Sequence, residues 1–146
     1  MKVVLQRCKY ASCTVDNKLI SEINHGLTLF VGFKENDTLN DLDTIIKKII
    51  HLRIFNDDAG LMNKSILETG GSILSISQFT LFADTKKGNR PSFAKALNRE
   101  KAADLYQQFN QKLSEFVLLK TGIFGADMLI NLENDGPVTI LLDSKE

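Results

Sequence analysis

Two short stretches of this chain combine residue types in a way that could do chemistry. They are Ser77-Gln78-Phe79-Thr80-Leu81 and Asn134-Asp135-Gly136-Pro137-Val138-Thr139. The first sets hydroxyl and amide groups where an apolar run, Ile73-Leu74-Ser75-Ile76, gives way to a polar loop. Amides and hydroxyls that converge on a carbonyl are what an oxyanion site requires. Thr80 could instead be a nucleophile, although no base stands near it in sequence. The plain alternative is a strand edge whose polar side chains satisfy neighbouring backbone. In a continued strand Ser77 and Phe79 would point one way, Gln78 and Thr80 the other. The second stretch holds the only Gly-Pro dipeptide of the chain. Its plain reading is a turn between two strands. Its sharper reading is a backbone that approaches a ligand closely at Gly136 and is fixed by Pro137, where a cis bond is accessible. A rigid carbonyl or amide there could select a substrate by shape.

Other chemistries lack their patterns. His25 and His51 stand alone, without the ligand spacing of a zinc site, so no metal is expected. A Ser-His-Asp triad has no local signature, and Gly-x-Ser-x-Gly is missing. Gly70-Gly71 lacks the Lys-Ser/Thr of a phosphate loop, and no cofactor is expected. Cys8 and Cys13 lie five apart in a strand-like stretch, a spacing that points them to opposite faces and argues against a disulfide. They read as ordinary thiols. Eighteen basic residues balance eighteen acidic ones, which argues against non-specific coating of nucleic acid. A local anion site remains open at Lys86-Lys87-Gly88-Asn89-Arg90, three cations without an acid, or else a solvated loop.

The elements that must position these groups are legible in the periodicity. Residues 2–15 read as a first strand; Asp16-Asn17-Lys18 turns the chain, and Leu19 to Ile23 returns as a hairpin. Leu27 to Phe33 is nearly all apolar, a strand buried on both faces. Leu42, Ile45, Ile46, Ile49 and Ile50 then recur at helical spacing after a Thr38/Asp41 start signal, and His51 suits the helix C-terminus. A second helix is expected over about Arg99 to Phe116, capped by Asn98, with Ala102, Leu105, Tyr106, Phe109, Leu113 and Phe116 as its apolar stripe. Strands are expected at 73–79, 117–120, 128–132 and 138–142. With 146 residues, 43% hydrophobic and 25% charged, and no linker or repeat, the chain reads as a single domain, 1–146. The order of elements is not a regular β-α-β alternation. The expectation is a mixed α/β domain with a strongly curved or barrel-like sheet and two long helices packed outside it. No apolar run reaches the ~20 residues of a membrane span, and no signal-peptide core is visible, so a cytoplasmic protein is expected.

Along essentially its whole length the chain resembles the D-aminoacyl-tRNA deacylase (D-tyrosyl-tRNA deacylase) family. The resemblance runs through Gln6-Arg7, Arg53-Ile54-Phe55, Gly70-Gly71-Ser72, Ser77-Gln78-Phe79-Thr80-Leu81, Ala83-Asp84-Thr85, Gly88 and Arg90-Pro91-Ser92-Phe93. It continues through Thr121-Gly122, Phe124, Ala126-Asp127-Met128 and Asn134-Asp135-Gly136-Pro137-Val138-Thr139. It implies hydrolysis of the ester between a D-amino acid and the 3′ end of tRNA, with glycyl-tRNA as a second substrate. It also implies a homodimer in which Ser77, Gln78, Phe79 and Thr80 of one subunit face Gly136 and Pro137 of the other, with Arg7 steadying the Gly-Pro element. A Gly136-Pro137 carbonyl could capture the α-amino group and leave no room for an L side chain, so selection would act by rejection. For the chemistry two versions stand: attack by Thr80, or stabilisation of the oxyanion by the Phe79 and Thr80 amides while the ribose 2′-hydroxyl helps activate water. The second is favoured because Thr80 has no visible base. Lys86, Lys87 and Arg90 would then touch phosphates near the tRNA 3′ end, and Phe124 and Met128 would line an adenosine pocket or simply pack. Two other classes compete: a general small-ester hydrolase, and a non-catalytic dimeric module binding tRNA or protein.

Overall fold

The computed structural model describes residues 1–146. In chain order it holds β1 (Lys2–Val15), β2 (Lys18–Ile23), β3 (Gly26–Gly32), α1 (Leu39–His51), β4 (Phe55–Asn56), β5 (Met62–Lys64) and α2 (Ile66–Thr69). These are followed by β6 (Ser72–Ser77), a 3-10 turn (Phe79–Phe82), α3 (Arg99–Ser114), β7 (Leu118–Thr121) and β8 (Leu129–Asp143). β1 is the hub of the sheet. One of its edges pairs antiparallel with β3 through residues 2–8 and with β2 through residues 11–15; the other pairs with β8. β3 continues in parallel to β6, and β6 in parallel to β7. The sheet curls until β2 meets β7, where the Ser21 hydroxyl donates to the Thr121 carbonyl at 2.8 Å. This is the mixed α/β, nearly closed barrel-like fold that the sequence implied.

β6 shows why its residues read as an inner strand. Ile73 joins the larger core, which β1 and β3 build with α1 and α3, while Leu74 and Ile76 join a smaller cluster within the curl. α1 buries Leu42, Ile45, Ile46, Ile49 and Ile50 and exposes its charged side, as its period requires. The Asp41 carboxylate accepts from the Thr38 N–H at 2.8 Å, so the Thr38/Asp41 start signal is real. α3 buries Ala102, Tyr106, Phe109 and Leu113, and Asn98 accepts from the Glu100 and Lys101 amides. That helix stops at Ser114, short of the expected Phe116, whose ring is exposed.

Four expectations need correction. The strand expected over 73–79 ends at Ser77: the Gln78 N–H makes the last rung of the parallel ladder, to the Val31 carbonyl at 2.7 Å, and the chain then enters the 3-10 turn. Strict alternation of Gln78, Phe79 and Thr80 therefore does not hold. The two strands expected at 128–132 and 138–142 are one strand, β8, so Asp135-Gly136-Pro137 is no hairpin turn. Cys8 and Cys13 are free and buried in the same small cluster, because register shifts around Cys8 reset the alternation of β1. The β4–β5 ribbon is too short to show a period, and the single-turn α2 is marked in the sequence only by its Ser65/Glu68 capping box and Gly70 C-cap.

Candidate active site

The irregularity in β8 has a simple geometry. Gln6 pairs with Thr139 and Cys8 with Asn134, so Asp135 to Val138 stand opposite the single residue Arg7. Four residues facing one must leave the ladder, and they form a bulge. Arg7 turns inward beneath it and is only 7% exposed. Its Nε donates to the Asp135 carbonyl at 2.8 Å, and its Nη1 to the Ile54 carbonyl at 2.7 Å and to Asn56 Oδ1 at 3.3 Å. Asn134 closes the other side, accepting from the Val138 N–H at 2.8 Å and donating to the Val138 carbonyl at 3.2 Å. Gly136 sits at φ 140, and the Gly136-Pro137 bond is cis. A Cβ on Gly136 would lie 2.8 Å from Val138 Cγ2 and 3.1 Å from Arg7 Nη2, so the position admits only glycine without strain. Both residues of the Gly-Pro pair are exposed.

The second cluster surrounds a cavity of about 390 Å³, of the size that binds small ligands. Its walls are mostly apolar: Val31, Phe33, Phe79, Phe93, Leu97 and Phe124, with Ser77 and Gln78 at the end of β6. Phe79 and Phe93 meet edge to face at 5.0 Å between ring centroids. The Gln78 side-chain amide donates to Thr80 Oγ1, which orients that hydroxyl within its own turn. The first i+3 bond of the 3-10 turn runs from the Leu81 N–H to the Gln78 carbonyl. The Phe79 and Thr80 N–H groups come before it, so the turn supplies them no acceptor, and neither donates to a side chain. Two such adjacent amides at the rim of an apolar cavity can hold a developing negative charge.

The cavity thus brings together Ser77, Gln78, Phe79 and Phe124, with Thr80 on the adjoining turn. Arg7, Gly136 and Pro137 form the separate bulge and do not line it. Met128 is outside the lining: its sulfur packs over Gly122, where a Cβ would meet it at 2.5 Å, and it supports the small cluster around Cys13. Lys86 is also outside, exposed on a loop pinned at its base by paired backbone bonds between Asp84 and Ser92, 2.8 and 2.9 Å. Lys95 contacts the Asp84 carboxylate at 2.7 Å, and this bond, with the Lys86 amide, holds that carboxyl below its ordinary range. Behind the cavity the Tyr106 hydroxyl donates to the Ser75 carbonyl at 2.7 Å, and burial pushes its pKa up. Its ring leans on Phe124, 5.8 Å between centroids. Tyr106 therefore fixes a cavity wall rather than exchanging protons.

Two further residues shape the cavity: Phe93, known from the sequence only as part of the Arg90-Pro91-Ser92-Phe93 motif, is a wall, and Arg99, read there only as a helix start, is its cation. Arg99 is the first residue of α3. A cation at that end opposes the helix dipole, and such a local conflict was the available signal.

The model of the D-Tyr-tRNA(Tyr) deacylase family matches residues 4–143. A solved structure described as c-Myc DNA Unwinding Element Binding Protein is similar at 40% identity over 98% of each chain, with a TM-score of 0.93. Another, described as a probable eukaryotic D-amino acid tRNA deacylase, shares the fold at 18% identity over 97% of each chain, with a TM-score of 0.82. No helix of the chain is long and apolar enough to cross a membrane.

Proposed function

The chain belongs to the D-Tyr-tRNA(Tyr) deacylase family, whose reaction is hydrolysis of the ester that joins a D-amino acid to tRNA, and from that premise we propose how its residues carry the reaction. The observation that carries the reading is the pair of adjacent amides, Phe79 and Thr80, that open the 3-10 turn beside an apolar cavity and receive no acceptor from that turn. The terminal adenosine enters the cavity between Phe79, Phe93 and Phe124. The ester carbonyl then lies over the 3-10 turn, where the two amides stabilise the oxyanion. Water attacks the carbonyl carbon with help from the ribose 2′-hydroxyl, and the 3′-oxygen leaves with a proton. Gln78 holds Thr80 in place, and Ser77 closes the end of β6; Thr80 is a positioning residue, not the nucleophile.

Chiral selection falls to the bulge. Arg7 and Asn134 hold it from two sides, so its exposed backbone is rigid where a ligand would meet it. A carbonyl there takes the α-amino group, and the space left admits hydrogen but not an L side chain. Glycine has nothing to reject, which makes glycyl-tRNA a second substrate.

Because the bulge does not line the cavity of its own chain, we infer a homodimer in which each cavity is completed by the partner's Gly136 and Pro137. The 1–146 segment acts as one domain, Lys86 contributes to tRNA phosphate contacts, Met128 supports the site from its packed position, and a tRNA substrate suits a cytoplasmic location. A purely DNA-binding role has less support, since the chain carries no net charge.

The test is deacylation of matched D-tyrosyl-, L-tyrosyl- and glycyl-tRNA at sub-stoichiometric enzyme. Multiple turnovers on the D and glycyl esters are expected, with the L ester slower by ~10²-fold or more. Equal cleavage of D and L would refute the bulge as filter and favour a general esterase. Binding of tRNA without cleavage would favour the non-catalytic module.

A further inference from the structure

The cavity lining contains one charged side chain, Arg99, and no carboxylate. Several other cations are engaged within the chain: Arg7 on backbone carbonyls, Arg53 on Asn63, Lys95 on Asp84, Lys112 on Asp43 and Lys145 on Asp41. Arg99 has no ion pair and no side-chain hydrogen bond within the chain, although it stands at the cavity and not on a free loop. Its place is fitted. Gly125 lies beneath it at φ 76, and a Cβ added there would be 2.5 Å from Arg99 Nη2 and 3.0 Å from Cζ. The guanidinium occupies the space that a side chain at 125 would need, so glycine there lets it lie against the mouth with its donors unclaimed.

This placement works against the helix it begins, because a cation on the first residue of α3 meets the positive end of the helix dipole. A ligand anion would relieve that conflict. The walls of Phe79, Phe93 and Phe124 suit a flat heteroaromatic base, and a nucleoside seated there carries its next phosphate out at the mouth. A guanidinium matches a phosphate through two parallel N–H donors.

We propose that Arg99 binds the phosphodiester on the 5′ side of the terminal nucleoside, so that the cavity recognises a nucleotide and not merely a nucleoside ester. The inference rests on the reading that this cavity receives the tRNA 3′ end. It makes Arg99 a substrate-positioning residue, closer to the reacting ester than the Lys86 loop.

Two small substrates isolate the contact: the 3′-D-tyrosyl ester of adenosine, and the same ester of adenosine 5′-monophosphate. Arg99→Ala should raise KM for the phosphorylated ester by about tenfold, leave kcat unchanged and leave the unphosphorylated ester unaffected. Arg99→Lys should keep part of the gain. On tRNA, Arg99→Ala should reduce the slope of log KM against log salt by about 0.7, one single-strand phosphate contact. Equal losses on both esters, or none on either, would overturn the proposal while wild-type turnover leaves the deacylase reading intact. Calorimetric binding of adenosine 5′-monophosphate against adenosine reads the same contact without turnover. If wild type cleaves no ester yet prefers the monophosphate through Arg99, the deacylation reading fails and the phosphate site stands. If wild type shows no such preference, the site is refuted.

Discussion

At the scale of single residues, the question is whether a side chain or the backbone does the chemistry at Ser77 to Thr80. The Thr80 hydroxyl accepts a hydrogen bond from Gln78, and no imidazole, amine or carboxylate bonds to it as a base would. The Phe79 and Thr80 N–H groups, in contrast, are adjacent and stand ahead of the first bond of the turn. Thr80→Ala keeps both amides, so kcat on D-tyrosyl-tRNA should stay within about tenfold of wild type, whereas loss of a true nucleophile costs ~10⁴ or more. Phe79→Pro removes one amide, and proline is tolerated at the start of such a turn. Its kcat should fall by ~10²–10³ relative to Phe79→Ala, which loses the ring but keeps the N–H. Single-turnover rates on the three variants check this, and a collapse in Thr80→Ala with little effect of Phe79→Pro would transfer the chemistry to the hydroxyl.

At the scale of elements, α1 is where sequence pattern and electrostatics meet. Asp41 is buried, and burial alone would raise its pKa; hydrogen bonds from Lys145, Ser144 and Thr38 outweigh that and hold it well below the carboxylate range. A folded pKa below the unfolded value of about 3.9 gives stability that is present above that pH and lost as pH falls toward the folded pKa. Asp41→Asn should therefore lower stability at pH 7 by about 2 kcal/mol, and urea midpoints for variant and wild type should begin to converge only below about pH 4 and close as pH falls toward the folded pKa. The cap was readable because Thr38 and Asp41 are local. The strands and helices were legible for the same reason: their signals are periods of apolar residues. What was not legible lies in pairing between distant segments. Nothing near Asn134 says that four residues will face one, because that count needs the register of β1 against β8. Gln78 makes the last rung of β6 to the Val31 carbonyl, 47 residues away in sequence, and Arg99 lies at the cavity over Gly125, 26 residues further along the chain. The motifs named the candidate site; the contacts that shape it are tertiary.

At the scale of the whole molecule, β8 is a fifteen-residue strand with one edge on β1 and the other unpaired. Leu129 and Leu141 on it are 64% and 75% exposed, and Leu118 on β7 is 65% exposed. A long open edge with apolar side chains is a liability in a monomer and an asset in a dimer. A shared site makes a sharper demand than dimerisation alone, since it requires that each cavity borrow the bulge of the other subunit. Two variants separate the halves. Phe79→Pro disables the cavity rim, and Gly136→Ala disables the bulge, because a Cβ at φ 140 would crowd Arg7 and Val138. Each homodimer should be nearly inactive, with light scattering and thermal melts confirming that both stay folded and dimeric. When equal amounts are unfolded and refolded together, half of the dimers are mixed. In a mixed dimer one site holds both lesions and the other holds neither, so activity should recover to roughly one quarter of wild type. A site built within one chain gives no rescue at any mixing ratio, because every cavity then carries one lesion.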